Sequence, residues 1–128
     1  LPPVVGDPDR LGQVFGNLVD NAIKHSAGAS GGWRVALSVE QQDQMVACSV
    51  TDNGPGIPAD DLPRVFERFY QVDKSRARRS GLPNSSGKAR GAGLGLAIAK
   101  EIVQAHGGRI SAESVEGLGT RFTVYLPV

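Results

Sequence analysis

Asp52-Asn53-Gly54-Pro55-Gly56-Ile57 places one carboxylate at the end of an apolar run and follows it at once with a tight, side-chain-poor turn. The run before it, Val46-Ala47-Cys48-Ser49-Val50-Thr51-Asp52, alternates in the manner of a strand, so Val46, Cys48, Val50 and Asp52 share a face. That phase aims Asp52 at the covered side of a sheet, where a carboxylate is costly unless something donates hydrogen bonds to it. Gly54 and Gly56 let backbone come close to a ligand where a Cβ would collide. An acceptor at the bottom of such a cleft suits a ring bearing an exocyclic amine. An Asp that simply ends a strand at a Gly-Pro turn fits the same residues, so the surrounding chain has to separate the two readings.

Upstream, Trp33 to Glu40 alternates as a second strand with Val35, Leu37 and Val39 inward, and Gln41 to Gln44 turns it into the Asp52 strand as an antiparallel hairpin. Further back, Leu11, Val14, Phe15, Leu18, Ala22 and Ile23 recur at helical spacing from Arg10 to about Ser26, with Asp7 or Asp9 as cap and Pro8 in the first turn. A second stripe, Arg10, Gln13, Asn17, Asn21 and Lys24, borders that apolar face, and polar residues so placed line a cleft. Pro2 to Gly6 reads as a short edge strand. Downstream, Ala59 to Tyr70 reads as a short helix carrying Leu62, Val65, Phe66 and Phe69, and residues 71 to 90 show no apolar period. That basic stretch, with Lys74, Arg76, Arg78, Arg79, Lys88 and Arg90 against Asp73, reads as a functional lid or a disordered segment. Gly91-Ala92-Gly93-Leu94-Gly95-Leu96 then opens a helix to about His106, with Leu94, Ile98, Ile102 and Ala105 as its buried stripe and Gly107-Gly108 as its stop. Strands at Arg109 to Glu113 and Thr120 to Leu126 finish the chain. The pattern predicts a two-layer α/β (α+β) sandwich, a mixed but mostly antiparallel sheet covered on one face by three helices.

At 128 residues the chain is one domain, large enough to bury about two-thirds of its unfolded surface without disulfides. A net charge of +1 recruits neither nucleic acid nor membrane through a global field. Cys48 is the lone cysteine, which excludes an internal disulfide. No run reaches the ~18 apolar residues of a membrane span. The lack of a Met at Leu1 raises the expectation of an excised domain.

Unhindered N–H groups at the glycine-rich helix start are a candidate phosphate cradle, although such a start also serves as a hinge or a close packing point. The G-x-G-x-G spacing is not a Rossmann turn. Gly81 to Ala89 imitates a P-loop but fails, because five residues separate Gly81 from Gly87 and Ala89 replaces the metal-binding hydroxyl. Asn21 offers a neutral oxygen that could ligate magnesium without repelling a triphosphate, and Lys24 one turn along could reach phosphate; an ordinary amide-bearing flank has the same composition. His25 and His106, the only histidines, form no zinc pattern.

Together these residues resemble the catalytic and ATP-binding domain of sensor histidine kinases, of the ATPase superfamily shared with type II topoisomerases, heat-shock chaperones and mismatch-repair ATPases. Asn17-Leu18-Val19-Asp20-Asn21-Ala22-Ile23-Lys24-His25 is similar to the family's N box, Asp52 to Gly56 to its first glycine box, and Phe66-Glu67-Arg68-Phe69-Tyr70 to its F box. Gly91 to Leu96 and Gly117-Leu118-Gly119-Thr120 resemble the second and third glycine boxes. The resemblance implies the Bergerat fold over residues 1–128, with a lid at about 71–92. It implies a nucleotide site of Asn17, Asn21, Lys24, His25, Asp52, Gly54, Gly56, Ile57, Phe69, Tyr70, Gly91, Gly93, Leu94, Gly95, Leu96 and Thr120. Asp52 would accept from the adenine amine, Asn21 would hold Mg2+, and Gly93 to Leu96 would cradle the polyphosphate of ATP.

Hydrolysing relatives place a Glu one turn before the metal-binding Asn; Asn17 stands there, which favours a phosphoryl donor over a rapid hydrolase. Gln71 replaces the Arg that many members carry after the F-box aromatics, so either Arg68, Arg76 or Arg78 would substitute or transfer would depend on the separate acceptor domain. No phosphoacceptor motif is present, so the reaction would need a separate dimerisation and histidine-acceptor domain. The resemblance further implies a response regulator downstream and a homodimeric, membrane-anchored parent whose cytoplasmic portion includes this domain. The rivals are an ATP-driven conformational machine of the chaperone or topoisomerase kind and a degenerate docking module.

Overall fold

The computed structural model describes residues 3–26, 32, 34–68 and 85–128, with the backbone alone for 85–93. Helix α1 (Pro8–Ser26) is followed by β1 (Val35–Gln42), β2 (Met45–Asp52), a 3-10 turn (Leu62–Arg64), α2 (Ser85–Ala105), β3 (Arg109–Val115) and β4 (Gly119–Pro127). The strands lie in the order β1-β2-β4-β3, and all three pairings are antiparallel. The two α-helices among the described residues pack on one face of that sheet, over a core of Val14, Leu18, Val50, Val103, Phe122 and Val124.

The two-layer sandwich is the expected one, and its parts differ in detail. Residues 3–6 form no strand: Pro3 lacks the N–H that a ladder needs, and the segment runs straight into α1. Asp7, not Asp9, caps that helix, its Oδ1 accepting from the Asp9 N–H at 3.0 Å and the Arg10 N–H at 3.3 Å, which leaves Pro8 at the first helical position. Val14, Leu18 and Ala22 are buried, whereas Ile23 is 40% exposed because it lies about 140° round the helix from Leu18.

The sheet face of β1 is also barer than its alternation suggests. Leu37 and Val39 pair with Val50 and Cys48 on the helix-facing side, yet they are 61% and 50% exposed. Strand β1 is the sheet edge, and α1 packs mainly over β2. Among the described residues of the helix expected at 59–70, only a 3-10 turn forms. Its bonds run from Arg64 N–H to the Asp61 carbonyl (2.9 Å) and from Glu67 N–H to the Arg64 carbonyl (3.0 Å). That tighter winding lets the adjacent Val65 and Phe66 both face inward, Phe66 meeting Phe122 edge-to-face at 5.9 Å.

Helix α2 starts at Ser85, six residues before the expected Gly91. Its buried stripe is Leu96, Ala99, Ile102 and Val103; Leu94 and Ile98 are half-buried and Ala105 is exposed. It stops where expected. Gly107 takes φ +79°, and the N–H groups of Gly108 and Gly107 close on the carbonyls of Val103 and Gln104, both at 3.0 Å. Just beyond, the His106 ring donates from Nδ1 to the Ile102 carbonyl (2.8 Å) and accepts at Nε2 from the Asp7 N–H (3.1 Å). The end of α2 is thereby joined to the start of α1.

Candidate functional site

Asp52 ends β2 on the helix-facing side, as its phase requires, and is only 5% exposed. Its Oδ1 accepts from the Gly54 N–H at 2.8 Å, while Oδ2 has no partner. Asn21, on the inner edge of α1, is 6% exposed, and its Nδ2 likewise has none. Among the described residues these are the buried side-chain atoms left without a hydrogen bond. Each such orphan costs about 1–3 kcal/mol, so a fold that keeps two at one site is built to meet polar groups from outside itself.

The glycines bring the surrounding segments together, though for a reason other than ligand approach. A Cβ on Gly54 would strike the backbone carbonyl of His25, one turn beyond Asn21. A Cβ on Gly56, whose φ is +83°, would lie 2.6 Å from the Val115 carbonyl oxygen. One on Gly119 would strike the Asp52 carbonyl. The Gly117 N–H also donates to the Pro55 carbonyl at 2.7 Å. The glycines therefore let the turn after Asp52 nest between the end of α1 and the β3–β4 hairpin.

The other expected site residues divide. Thr120 is 2% exposed and lies directly opposite Asp52 in the β2–β4 register. Asn17 is half-buried and donates from Nδ2 to the Gly95 carbonyl at 3.1 Å, tying α1 to α2. Lys24 is exposed and His25 is half-buried. Ile57 and Leu96 belong to the hydrophobic core, 3% and 7% exposed, so they shape the site from behind. Residues Gly91, Gly93, Leu94 and Gly95 sit inside α2, where N–H groups are spent on the helix ladder. The phosphate cradle expected of a helix start at Gly91 is not formed in this structure. Phe69, Tyr70 and the expected lid at 71–84 lie outside the described residues, while 85–92 of that lid are helical. Arg68 is ion-paired with Glu101 of α2 at 2.7 Å, so it does not stand free to replace the missing arginine at Gln71.

Two contributors escaped the sequence reading. Asn53 accepts from the Arg34 N–H at 2.8 Å and donates to the Gly32 carbonyl at 3.0 Å, fixing the approach to β1. Ser114 of β3 takes the Ile57 N–H at 2.6 Å and meets both the Gly119 carbonyl (3.0 Å) and Thr120 Oγ1 (3.1 Å). The available signal was a hydroxyl in the inward phase of Ile110, Ala112 and Ser114, just before a glycine turn. Burial raises the Cys48 thiol above its ordinary pKa, which keeps it protonated and unreactive at neutral pH.

The arrangement matches known proteins. The profile described as histidine kinase-, DNA gyrase B- and HSP90-like ATPase matches residues 6–128. The chain is 46% identical over 121 residues to sensor histidine kinase WalK of Bacillus subtilis (strain 168), a match covering 94% of this chain and 18% of WalK. It is also 46% identical over 123 residues to sensor protein kinase WalK of Staphylococcus aureus, covering 94% of this chain and 27% of that protein. The chain thus spans a minor part of these curated relatives. Among solved structures, the mycobacterial sensor histidine kinase MprB aligns with a TM-score of 0.77 at 36% identity, covering 97% of this chain and 76% of that one. Full-length ShkA in complex with AMPPNP aligns with a TM-score of 0.76 at 34% identity, covering 99% and 23%. With the fold, the site's segments and the sequence in agreement, this chain belongs to the histidine kinase-, DNA gyrase B- and HSP90-like ATPase family, on the branch of the sensor histidine kinase catalytic domains.

Proposed function

We infer that this domain binds Mg-ATP and donates the γ-phosphoryl to a histidine on a separate dimerisation and phosphoacceptor domain. The observation that carries the reading is the pair of buried orphan atoms, Asp52 Oδ2 and Asn21 Nδ2, on segments that the glycines bring together. Asp52 Oδ2 accepts from the exocyclic amine of adenine. The Asn21 carboxamide, turned over about its last torsion, presents oxygen in place of nitrogen and suits a magnesium ion. That ion, when bound, neutralises charge on the phosphates. Lys24, one turn along α1, adds a mobile positive charge at the phosphate end. The alignment with ShkA, whose structure holds AMPPNP, supports a nucleotide at this fold.

Asn17 has no basic group and spends its amide on the Gly95 carbonyl, so nothing at that position activates water. Transfer therefore suits an incoming imidazole nitrogen: the bond between the γ-phosphorus and the bridging oxygen breaks, a P–N bond forms, and ADP leaves. A response regulator then takes the phosphoryl group. We place the domain on the cytoplasmic side of a longer, membrane-anchored homodimeric sensor. The test mixes the domain with candidate acceptor domains, magnesium and γ-labelled ATP. Acid-labile label on an acceptor histidine is the expected result; failure of the domain to bind Mg-ADP overturns the reading.

A further inference from the structure

Thr120 stands in one cross-strand row between Asp52 on β2 and Ser114 on β3, its direct partners in the two registers. Side chains in such a row share a face, with Cβ atoms about 4.5–5.5 Å apart, so the single Thr120 proton has two neighbours within reach. Its oxygen lies 3.1 Å from Ser114 Oγ, whereas Asp52 Oδ2 has no partner. Donor counting explains the choice. Ser114 gives its own proton to the Gly119 carbonyl at 3.0 Å, because a carbonyl can only accept. Its lone pairs then take the Ile57 N–H at 2.6 Å and the Thr120 O–H. The Ser114 hydroxyl is saturated, and Thr120 has no proton left for the ligand or for Asp52.

We propose that Ser114 is a positioning residue for nucleotide recognition: by holding the Thr120 proton, it keeps Asp52 Oδ2 open and makes Thr120 Oγ1 an acceptor. The purine end of the site then presents Asp52 Oδ2 as an uncommitted acceptor, which suits a base bearing an exocyclic amine. This rests on the nucleotide reading above. Without Ser114, Thr120 can turn to form a charge-assisted bond with Asp52, and the site satisfies itself in competition with the ligand.

Calorimetry with Mg-ADP and with Mg-purine riboside diphosphate, which lacks the exocyclic amine, tests the proposal. Ser114→Ala is expected to lower Mg-ADP affinity about tenfold while changing the amine-free nucleotide less than about twofold, and Ser114→Thr to restore discrimination. In a Thr120→Val background, with no hydroxyl left to misdirect, adding Ser114→Ala is expected to change discrimination less than about twofold. Should Ser114→Ala fail to fold, Ser114→Cys keeps the volume, weakens both roles of the hydroxyl and is expected to reduce discrimination in the same direction. Equal loss for both nucleotides, or undiminished discrimination in Ser114→Ala or in the Cys variant, overturns the role given to Ser114. Wild-type protein that binds the two nucleotides equally overturns the adenine reading itself, before any variant is made.

Discussion

Asp52 holds one oxygen against a backbone N–H and leaves the other bare in a site where bareness costs stability. This separates stability from binding in a measurable way. Asp52→Asn keeps an oxygen for the Gly54 N–H, removes a buried charge and replaces the second acceptor with a donor. The free protein is expected to melt at the same temperature or higher, while nucleotide affinity falls by ~1.5–3 kcal/mol, about ten- to a hundred-fold. Thermal melts beside titrations decide it, and an unchanged affinity removes Asp52 from the pocket. Asp52 was legible because strand alternation fixes a direction. The purpose of Gly54 was not: the chain it makes room for, the His25 carbonyl, is 29 residues away in sequence and adjacent only once α1 is packed.

Helix α2 carries Gly87, Gly91, Gly93 and Gly95 in its first turns, each costing about 1 kcal/mol relative to Ala in a helix interior. A nucleotide that needs free N–H groups at 91–95 would take them by unwinding those turns, and the glycines make that cheap. Gly95→Ala probes the trade, since a Cβ there would sit at an ordinary 3.8 Å from the Asn17 side chain. The variant is expected to raise the melting temperature and weaken Mg-ADP binding. A gain in stability with unchanged affinity would show that the helix stays wound when nucleotide binds. Sequence placed the end of α2 well because a Gly-Gly stop has one local solution, the αL residue at Gly107. It placed the start poorly because glycine-rich turns are nearly balanced between helix and loop, and neighbouring packing tips them. The same limit hid the fate of Leu37 and Val39: alternation reports which face a residue is on and is silent about whether a helix covers it.

Across the whole molecule, two hairpins, the β2–β4 pairing that joins them and a shared helix layer give a sheet with β1 and β3 at its margins among the described strands. The bare Leu37 and Val39 lie on the β1 margin, on the helix-facing side with Val50 and Cys48. Leu37→Lys is expected to reduce concentration-dependent self-association in sedimentation runs and to leave Mg-ADP affinity within about twofold. Leu18→Ala, emptying a fully buried position on the inner face of α1, is expected to lower unfolding free energy by about 2–5 kcal/mol in urea titrations. The two hairpins were legible because each joins strands that are near neighbours in the chain, whereas the β2–β4 pairing between them and the stop of the helix layer short of β1 depend on how distant segments pack. The His106 ring, bonded to Ile102 on one side and to the Asp7 N–H on the other, gives this architecture a mechanical linkage. Any tug on the strand of chain leading into α1 is transmitted through one imidazole to the far end of the glycine-bearing helix, so strain applied from outside the domain can reach the helix that faces Asn17 without crossing the sheet.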